Sequence, residues 1–263
     1  MSLEWNSHLD SMVLALVRVS GMVVFAPFFS SAALPARTKA VFGGAVAFLL
    51  APSIAALPGA HASLSCLALL GEVAVGMVYG LTLALLNEMM LFAGQVLGIQ
   101  FSFSMVNLLD PTSSIQTSLM SDLLQMLGTL VVLAAGLDRI LLGSMMRSFC
   151  VVPPGTFTMS TLTAIAVIRA AGGIFLAAVE LAAPVLAATM LIEVAIALLG
   201  KLSPQLPVTA LSVPLKTLTG FAVLVASCAV WPRFVEGHFS ALLDVAERLM
   251  SAAPAGAGSG WRG

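Results

Sequence analysis

Charge is what this sequence has least of. Only 9% of its 263 residues are Asp, Glu, Lys or Arg, 12 acidic and 11 basic, against about a quarter in an ordinary soluble domain. So thin a supply cannot cover a water-facing surface, which excludes a free-standing soluble domain. The net charge is −1, with no basic run and no interleaving of aromatic and basic residues, so no nucleic-acid partner is expected. Cysteine is scarce as well. Cys66, Cys150 and Cys228 are odd in number and far apart, which predicts buried free thiols, with neither a disulfide framework nor a zinc ligand set. His8, His61 and His238 stand alone, none with a second ligand three or four residues on, so no metal site is expected. P-loop, GxSxG and HExxH patterns are missing. Gly143-Ser144 has no histidine on a later apolar segment to serve it, so no catalytic residue, cofactor or enzyme activity is expected. The first ten residues hold Glu4 and Asp10 but no Lys or Arg, and Arg18 interrupts the apolar run that follows. That is the wrong pattern for a cleaved signal peptide, and the first segment is expected to stay in the mature protein.

Apolar residues fill the space that charge leaves. They make up 60% of the chain, and mean hydropathy is +1.08, the composition of an integral membrane protein. Apolar segments run at 9–34, 38–57, 64–100, 117–137, 161–200 and 208–232. The expected fold class is therefore all-α, a polytopic membrane protein with about six kinked hydrophobic helical segments. Two segments exceed a simple span: at about 1.5 Å per residue, 64–100 would stretch roughly 55 Å and 161–200 roughly 60 Å, against about 30 Å of hydrocarbon. Either they tilt and protrude or they break, with Gly172-Gly173 and Pro184 as break points in the later one. Pro27, Pro52 and Pro184 each follow an alanine inside apolar sequence, and each frees a carbonyl that a neighbour must satisfy. Bent, interlocked helices are expected from that.

The stretch "FSFSMVNLLDPTSSIQ" (101–116) is apolar for eight or nine residues and then turns at Asp110-Pro111. Asp before Pro reads as a helix N-cap and first position, so a helix is expected from near Thr112. Two readings stand open at this point. One is a helix–loop–helix corner; the other is an apolar loop pushed into a cavity, because Phe101, Phe103, Met105, Leu108 and Leu109 are too apolar for a water-facing loop. Further on, Val235, Phe239, Leu242, Ala246 and Leu249 recur at helical spacing among Glu236, Asp244, Glu247 and Arg248, which predicts an amphipathic helix. The composition of 251–263 predicts a disordered tail. Six spans would place Arg139, Arg147, Arg233, Arg248 and Arg262 on one side and Arg37, Lys39 and Lys201 on the other, a bias that favours cytoplasmic termini.

The few charges within apolar segments carry more information than their number suggests. Arg18, Glu72, Glu88, Asp122, Arg169, Glu180, Glu193 and Lys216 are costly at membrane depth unless paired or water-facing. They read either as the sites of an ion-coupled transporter or, preferably, as salt bridges locking helices or subunits together. The third segment also carries a stripe of small residues. Gly76 and Gly80 form one GxxxG, Gly94 and Gly98 a second, and their offset of about five whole turns puts both on one face of an unbroken helix. Glu72 and Asn87 lie within about 40° of it. Such a stripe lets another backbone come close. It reads as packing against a neighbouring span or as a subunit interface made by Glu72, Gly76, Gly80, Asn87, Gly94 and Gly98.

Several stretches, taken in order, resemble a known family. Arg18, Pro27 and Pro35-x-Arg37 come first, then "GQVLGIQFSFSMVNLLDP" (94–111) and "SFCVVPPG" (148–155). The last is "LAAPVLAATMLIEVAIALLGKLSPQLPVTALSVPLKTLTG" (181–220). Together they are similar to the FliR/SctT family of type III export-gate proteins, over nearly the whole chain from Arg18 to about Arg248. The resemblance implies one membrane-embedded domain over 1–250. About 1–160 would be FliP-like and about 161–250 a FliQ-like helical hairpin. It implies an inner-membrane complex at the flagellar basal body with FliP- and FliQ-type subunits and an FlhB-like switch protein. That complex would surround the pore for unfolded exported polypeptides. Residues 101–111 (Phe101, Phe103, Met105, Leu108, Leu109, Asp110 and Pro111) match the region that plugs the closed channel. Lys201, Pro204, Gln205, Pro207, Pro214 and Lys216 would lie at the hairpin tip, near the cytoplasmic entrance. The turn "LSPQLPV" points to the flagellar branch, with an injectisome subunit of the SctT type as the alternative. From another class, a small ion-coupled secondary transporter remains, although no inverted repeat supports it.

Overall fold

A computed structural model describes residues 2–26, 35–55, 65–101, 119–157, 161–203 and 208–251. Eight α-helices and no strand occur among the described residues: α1 (Ser2–Phe25), α2 (Ala36–Ala55), α3 (Cys66–Gln100), α4 (Leu119–Ala134), α5 (Leu137–Val151), α6 (Thr161–Leu202), α7 (Val208–Ser227) and α8 (Trp231–Ser251). The chain is an all-α membrane protein. Helices α3 and α6 are each long and apolar enough to cross a bilayer, and the broken pairs α4–α5 and α7–α8 raise the number of candidate spans to four.

Neither long helix breaks. α3 has 35 residues and α6 has 42, or roughly 52 and 63 Å at 1.5 Å per residue. Of the two alternatives for the later segment, the unbroken one holds: Pro184 lies inside a continuous helix and Gly172-Gly173 is helical too. A single proline removes one backbone bond, and in a membrane helix that loss is tolerated. Pro52 likewise lies within α2, while Pro27, the expected helix start near Thr112 and the tail beyond Ser251 fall outside the described residues. Hydroxyls in the apolar helices turn back onto their own backbone: Thr129 donates to Gln125 O at 2.9 Å, Thr189 to Val185 O at 3.0 Å and Ser227 to Val223 O at 2.8 Å. The preceding turn supplies the acceptor, as it must wherever water is excluded.

Two compact units interleave along the sequence. One comprises Met1–Leu85, Gly136–Ala171 and Phe239–Gly263; the other comprises Leu86–Ala135 and Gly172–His238. Compactness therefore changes hands at 85, 135, 171 and 238, whereas the family resemblance divides the chain near 160.

In the first unit α1 packs along α2, around a cluster of Ala15, Ala47, Leu50, Ile54 and Phe149. Its contact with α3 is made through glycine. A Cβ added to Gly76 would lie 2.0 Å from the Arg18 carbonyl oxygen, and one added to Gly80 2.6 Å from that of Met22. From the α1 side, a Cβ on Gly21 would come within 2.9 Å of Val73 O. The backbones touch because no side chain stands between them. The end of α8 completes this unit as the expected amphipathic helix. Phe239, Leu243, Ala246, Leu249 and Met250 are buried, and Asp244, Glu247 and Arg248 are exposed.

In the second unit the later half of the glycine stripe serves the same purpose. A Cβ on Gly94 would fall 2.4 Å from Ser121 Cα in α4, and one on Gly128 of α4 2.6 Å from Met90 Cγ. Phe92 meets Phe175 of α6 edge to face, with ring centroids 5.0 Å apart. The cysteines are a correction: Cys66 and Cys150 are exposed and Cys228 half-buried. In a chain whose outward faces are apolar, a thiol gains nothing by turning inward.

The Gly76 contact yields a direct test. Gly76→Leu should block the approach of α1 and lower stability by about 3 kcal/mol, read as a fall in the thermal unfolding temperature in mild detergent. An unchanged midpoint would refute the contact.

Candidate functional site

The buried polar centre of the first unit grows from Arg18 in α1 and Glu72 in α3, both with side chains 0% exposed. Arg18 Nε donates to Glu72 Oε2 at 2.6 Å, and Nη2 to Oε1 at 3.1 Å, a two-pronged pair. The rest of the guanidinium is met from α5 and the corner after it. Nη1 donates to Ser148 Oγ at 3.0 Å and Nη2 to the Val152 carbonyl at 3.1 Å, while the Phe149 ring centroid lies 4.0 Å from Cζ. This combines hydrogen bonds with a cation–π contact.

The corner "VVPPG" is shaped to reach that pair. Pro153 and Pro154 have no N–H of their own, and Gly155, at φ +80°, turns its N–H onto Glu72 Oε1 at 2.9 Å. Positive φ favours glycine at that position. Thr156 N–H closes the turn on Pro153 O at 3.2 Å. Nearby, a Cβ added to Gly71 would lie 2.9 Å from Phe157 O, so the corner too rests directly on α3. Glu72 is the one buried carboxylate among the described residues, and both its oxygens are occupied. The arrangement joins α1, α3, α5 and the corner. It is a lock with no free oxygen for carrying an ion.

The second unit holds the described part of the expected gate elements. Phe101, the first residue of the expected plug, is buried and stacks on Phe221 of α7, with centroids 5.1 Å apart and planes 16° from parallel. A Cβ on Gly220 would fall 2.0 Å from the Phe101 ring edge. Glycine at 220 is thus the seat of that ring. Phe103, Met105, Leu108, Leu109, Asp110 and Pro111 lie outside the described residues, as do Pro204, Gln205 and Pro207 of the hairpin tip. Lys201 is exposed in the last turn of α6. Pro214 is exposed within α7, and Lys216, one helical turn past Val213, pairs with Glu193 of α6.

The expected interface stripe is placed as follows. Gly76 and Gly80 meet α1, Gly94 meets α4, Glu72 meets Arg18, Gly98 is buried and Asn87 is half-buried. The contacts at Gly76, Gly80, Gly94 and Glu72 are made within this chain. Of the other charges in apolar segments, Glu88, Asp122, Arg169 and Glu180 are exposed. Sequence reasoning missed Ser148, Phe149 and Val152 as partners of Arg18, Gly155 as a partner of Glu72, and Gly220 as the seat of Phe101. The first four stand in the quoted motif "SFCVVPPG", but 130 residues separate Ser148 from Arg18.

Two outcomes are expected from these contacts. Arg18→Ala or Glu72→Ala strands one buried charge and should cost about 3–5 kcal/mol. Arg18→Met with Glu72→Leu should recover much of that loss, and thermal unfolding of the three variants decides it. Separately, Gly220→Ala should destabilise by about 1 kcal/mol through loss of the ring stack. It should cost nothing further once Phe101→Ala has removed the ring. Additive losses would contradict the contact.

The chain matches a family model described as bacterial export proteins, family 1, over residues 9–242. It is 25% identical over 252 residues to a flagellar biosynthetic protein FliR of Escherichia coli, covering 95% of this chain and 97% of the relative. It is 25% identical over 236 residues to the protein of that name from Caulobacter vibrioides, covering 88% and 94%. To that from Bacillus subtilis it is 24% identical over 253 residues, covering 94% and 98%. The matched span takes in the Arg18–Glu72 lock, the corner that closes on it and the Phe101 seat, and the chain belongs to the bacterial export proteins, family 1.

Proposed function

We propose that this membrane-embedded export protein is the FliR-type subunit of a flagellar type III export gate, working by shape and packing and without covalent chemistry. FliP- and FliQ-type subunits and an FlhB-like switch protein are its partners in the inner membrane at the basal body, and unfolded polypeptides are its cargo. The names of the full-length relatives support the flagellar branch over the injectisome one.

The observation that carries the reading is the outward face of the hairpin α6–α7. Phe175, Leu176, Met190, Leu191, Val194 and Leu198 of α6 are exposed, as are Leu215, Leu218 and Val225 of α7. Glu180 stands exposed among them, whereas Glu193 is already paired with Lys216 of the same hairpin. Lipid would suit the apolar side chains but penalises a carboxylate by about 2.5–3.5 kcal/mol at mid-bilayer. A neighbouring helix with polar groups suits both. This supports assembly among like helices, in keeping with a FliQ-like hairpin set beside FliQ-type subunits. An ion-coupled transporter is disfavoured because the buried carboxylate Glu72 is fully engaged.

Within this reading the segment from Phe101 to Pro111 plugs the idle channel. Its apolar side chains seal against ions and move aside for a passing chain. Lys201, Pro204, Gln205, Pro207, Pro214 and Lys216 belong to the hairpin's entrance end, and any remaining face of the Asn87–Gly98 stripe serves subunit contact.

Native mass spectrometry of the chain co-expressed with FliP- and FliQ-type proteins should give a discrete hetero-oligomer containing it. A monomer or homodimer that ignores them would defeat the gate reading. Deleting 103–109 within that complex should raise the ion conductance of the idle membrane; an unchanged conductance would defeat the plug while leaving the assembly intact.

A further inference from the structure

A cavity of about 410 Å³ opens in the first unit between α3, α5 and α8. In a chain with so few charges, four converge on it: Arg147 from α5, and Asp244, Glu247 and Arg248 from α8. None of the four forms an ion pair among the described residues, where the ion pairs are Arg18–Glu72 and Lys216–Glu193. Asp244 and Arg248 stand one turn apart on α8, in the order that favours pairing, and still do not close on each other. The cavity wall also carries Ser144, a residue 6% exposed whose hydroxyl has no hydrogen-bond partner among the described residues and opens onto the cavity. A helical serine so deeply buried ordinarily returns its hydroxyl to the preceding turn, as Ser148 does with Met145 O. At Ser144 the donor is left for something else.

We propose that this cavity binds a zwitterionic phosphoethanolamine group, presented by a phospholipid headgroup. Two guanidiniums suit a phosphate, to which each can donate a fork of N–H groups. The Ser144 hydroxyl adds a neutral donor. Two carboxylates beside them suit a primary ammonium, which offers three N–H donors. The four charges sum to zero, so they favour a ligand that also sums to zero with its charges apart. An anionic headgroup would leave Asp244 and Glu247 repelling it. A choline headgroup has no N–H to offer them. Val151 and Met250 supply an apolar wall, along which the glycerol end can leave toward the acyl chains. The site is independent of the gate reading, because it rests on this unit alone.

The experiment is native mass spectrometry of the full chain in mild detergent, titrated with phosphatidylethanolamine, phosphatidylcholine, phosphatidylglycerol and free phosphoethanolamine. Phosphatidylethanolamine should be retained about tenfold better than phosphatidylcholine or phosphatidylglycerol, the gap expected from losing one charge-assisted contact. Retention should fall to the background level on Arg147→Ala with Arg248→Ala. On Asp244→Asn with Glu247→Gln the preference should invert towards phosphatidylglycerol, a change that a merely structural role would not produce. Thermal unfolding without lipid checks that each variant is folded, and the exposed positions make that the expected result. Equal retention of the three lipids, or a preference untouched by either pair of substitutions, overturns the proposal. Binding of free phosphoethanolamine as tight as that of the lipid supports the pocket's chemistry but overturns the membrane as its source.

Discussion

Arg18 and Glu72 set the terms for the first unit. Each would be intolerable in an apolar interior without the other, so α1 and α3 are obliged to meet where the two can close. Their closure leaves further lone pairs and N–H groups to be met, and Ser148, Val152 and Gly155 meet them. Three helices and a proline corner are thereby held in one register by a single polar centre. Apolar packing alone would not select that register, because one leucine-rich face fits another in many ways. The polar centre excludes every fit but one.

Glycine makes the geometry reachable. Gly76 lies one turn beyond Glu72 on α3, and its bare Cα lies against the Arg18 carbonyl. A larger residue would hold α1 away, and the guanidinium would no longer span the gap. The polar pair and the small stripe are therefore one device with two components, specificity from one and proximity from the other. Bulky apolar side chains fill the core, Leu14, Met89 and Phe239 among them, and others, such as Phe48, Leu67, Leu191 and Leu218, stand outward as well. A soluble protein keeps few such residues on its outside.

Much of this was legible in composition and periodicity. Helices at Cys66–Gln100, Thr161–Leu202 and Val208–Ser227 begin and end within a few residues of the apolar segments, because run length in apolar sequence reports helix length directly. α5 was not foreseen. Its Asp138, Arg139 and Arg147 lower its hydropathy below that of a span, and its role is to face Arg18 and the charged cavity. Gly172-Gly173 and Pro184 are possible breaks by propensity, yet α6 runs on through all three. The glycine stripe was legible as a close-contact face, yet its occupants were not, since a stripe does not say which helix lies on it. The motif "SFCVVPPG" carried the family signal, but its bond to Arg18 depends on chain segments that only folding brings together.

The interleaving of the two units has a consequence for how the chain is made. The unit containing the lock draws on Met1–Leu85, Gly136–Ala171 and Phe239–Gly263, so synthesis begins it, leaves it for the other unit, returns, leaves again and finishes it last. Arg18 and Glu72 can meet early, but Ser148 and Gly155 join them only after about half the chain has emerged, and the α8 segment that buries Phe239 and Ala246 comes later still. Contacts of such long sequence separation form slowly. Until they form, a ribosome-bound intermediate holds a charged pair whose shell is unfinished. A chain stalled before residue 239 therefore lacks the helix whose Phe239 and Ala246 complete this unit, and only a chain read through to that helix can finish it.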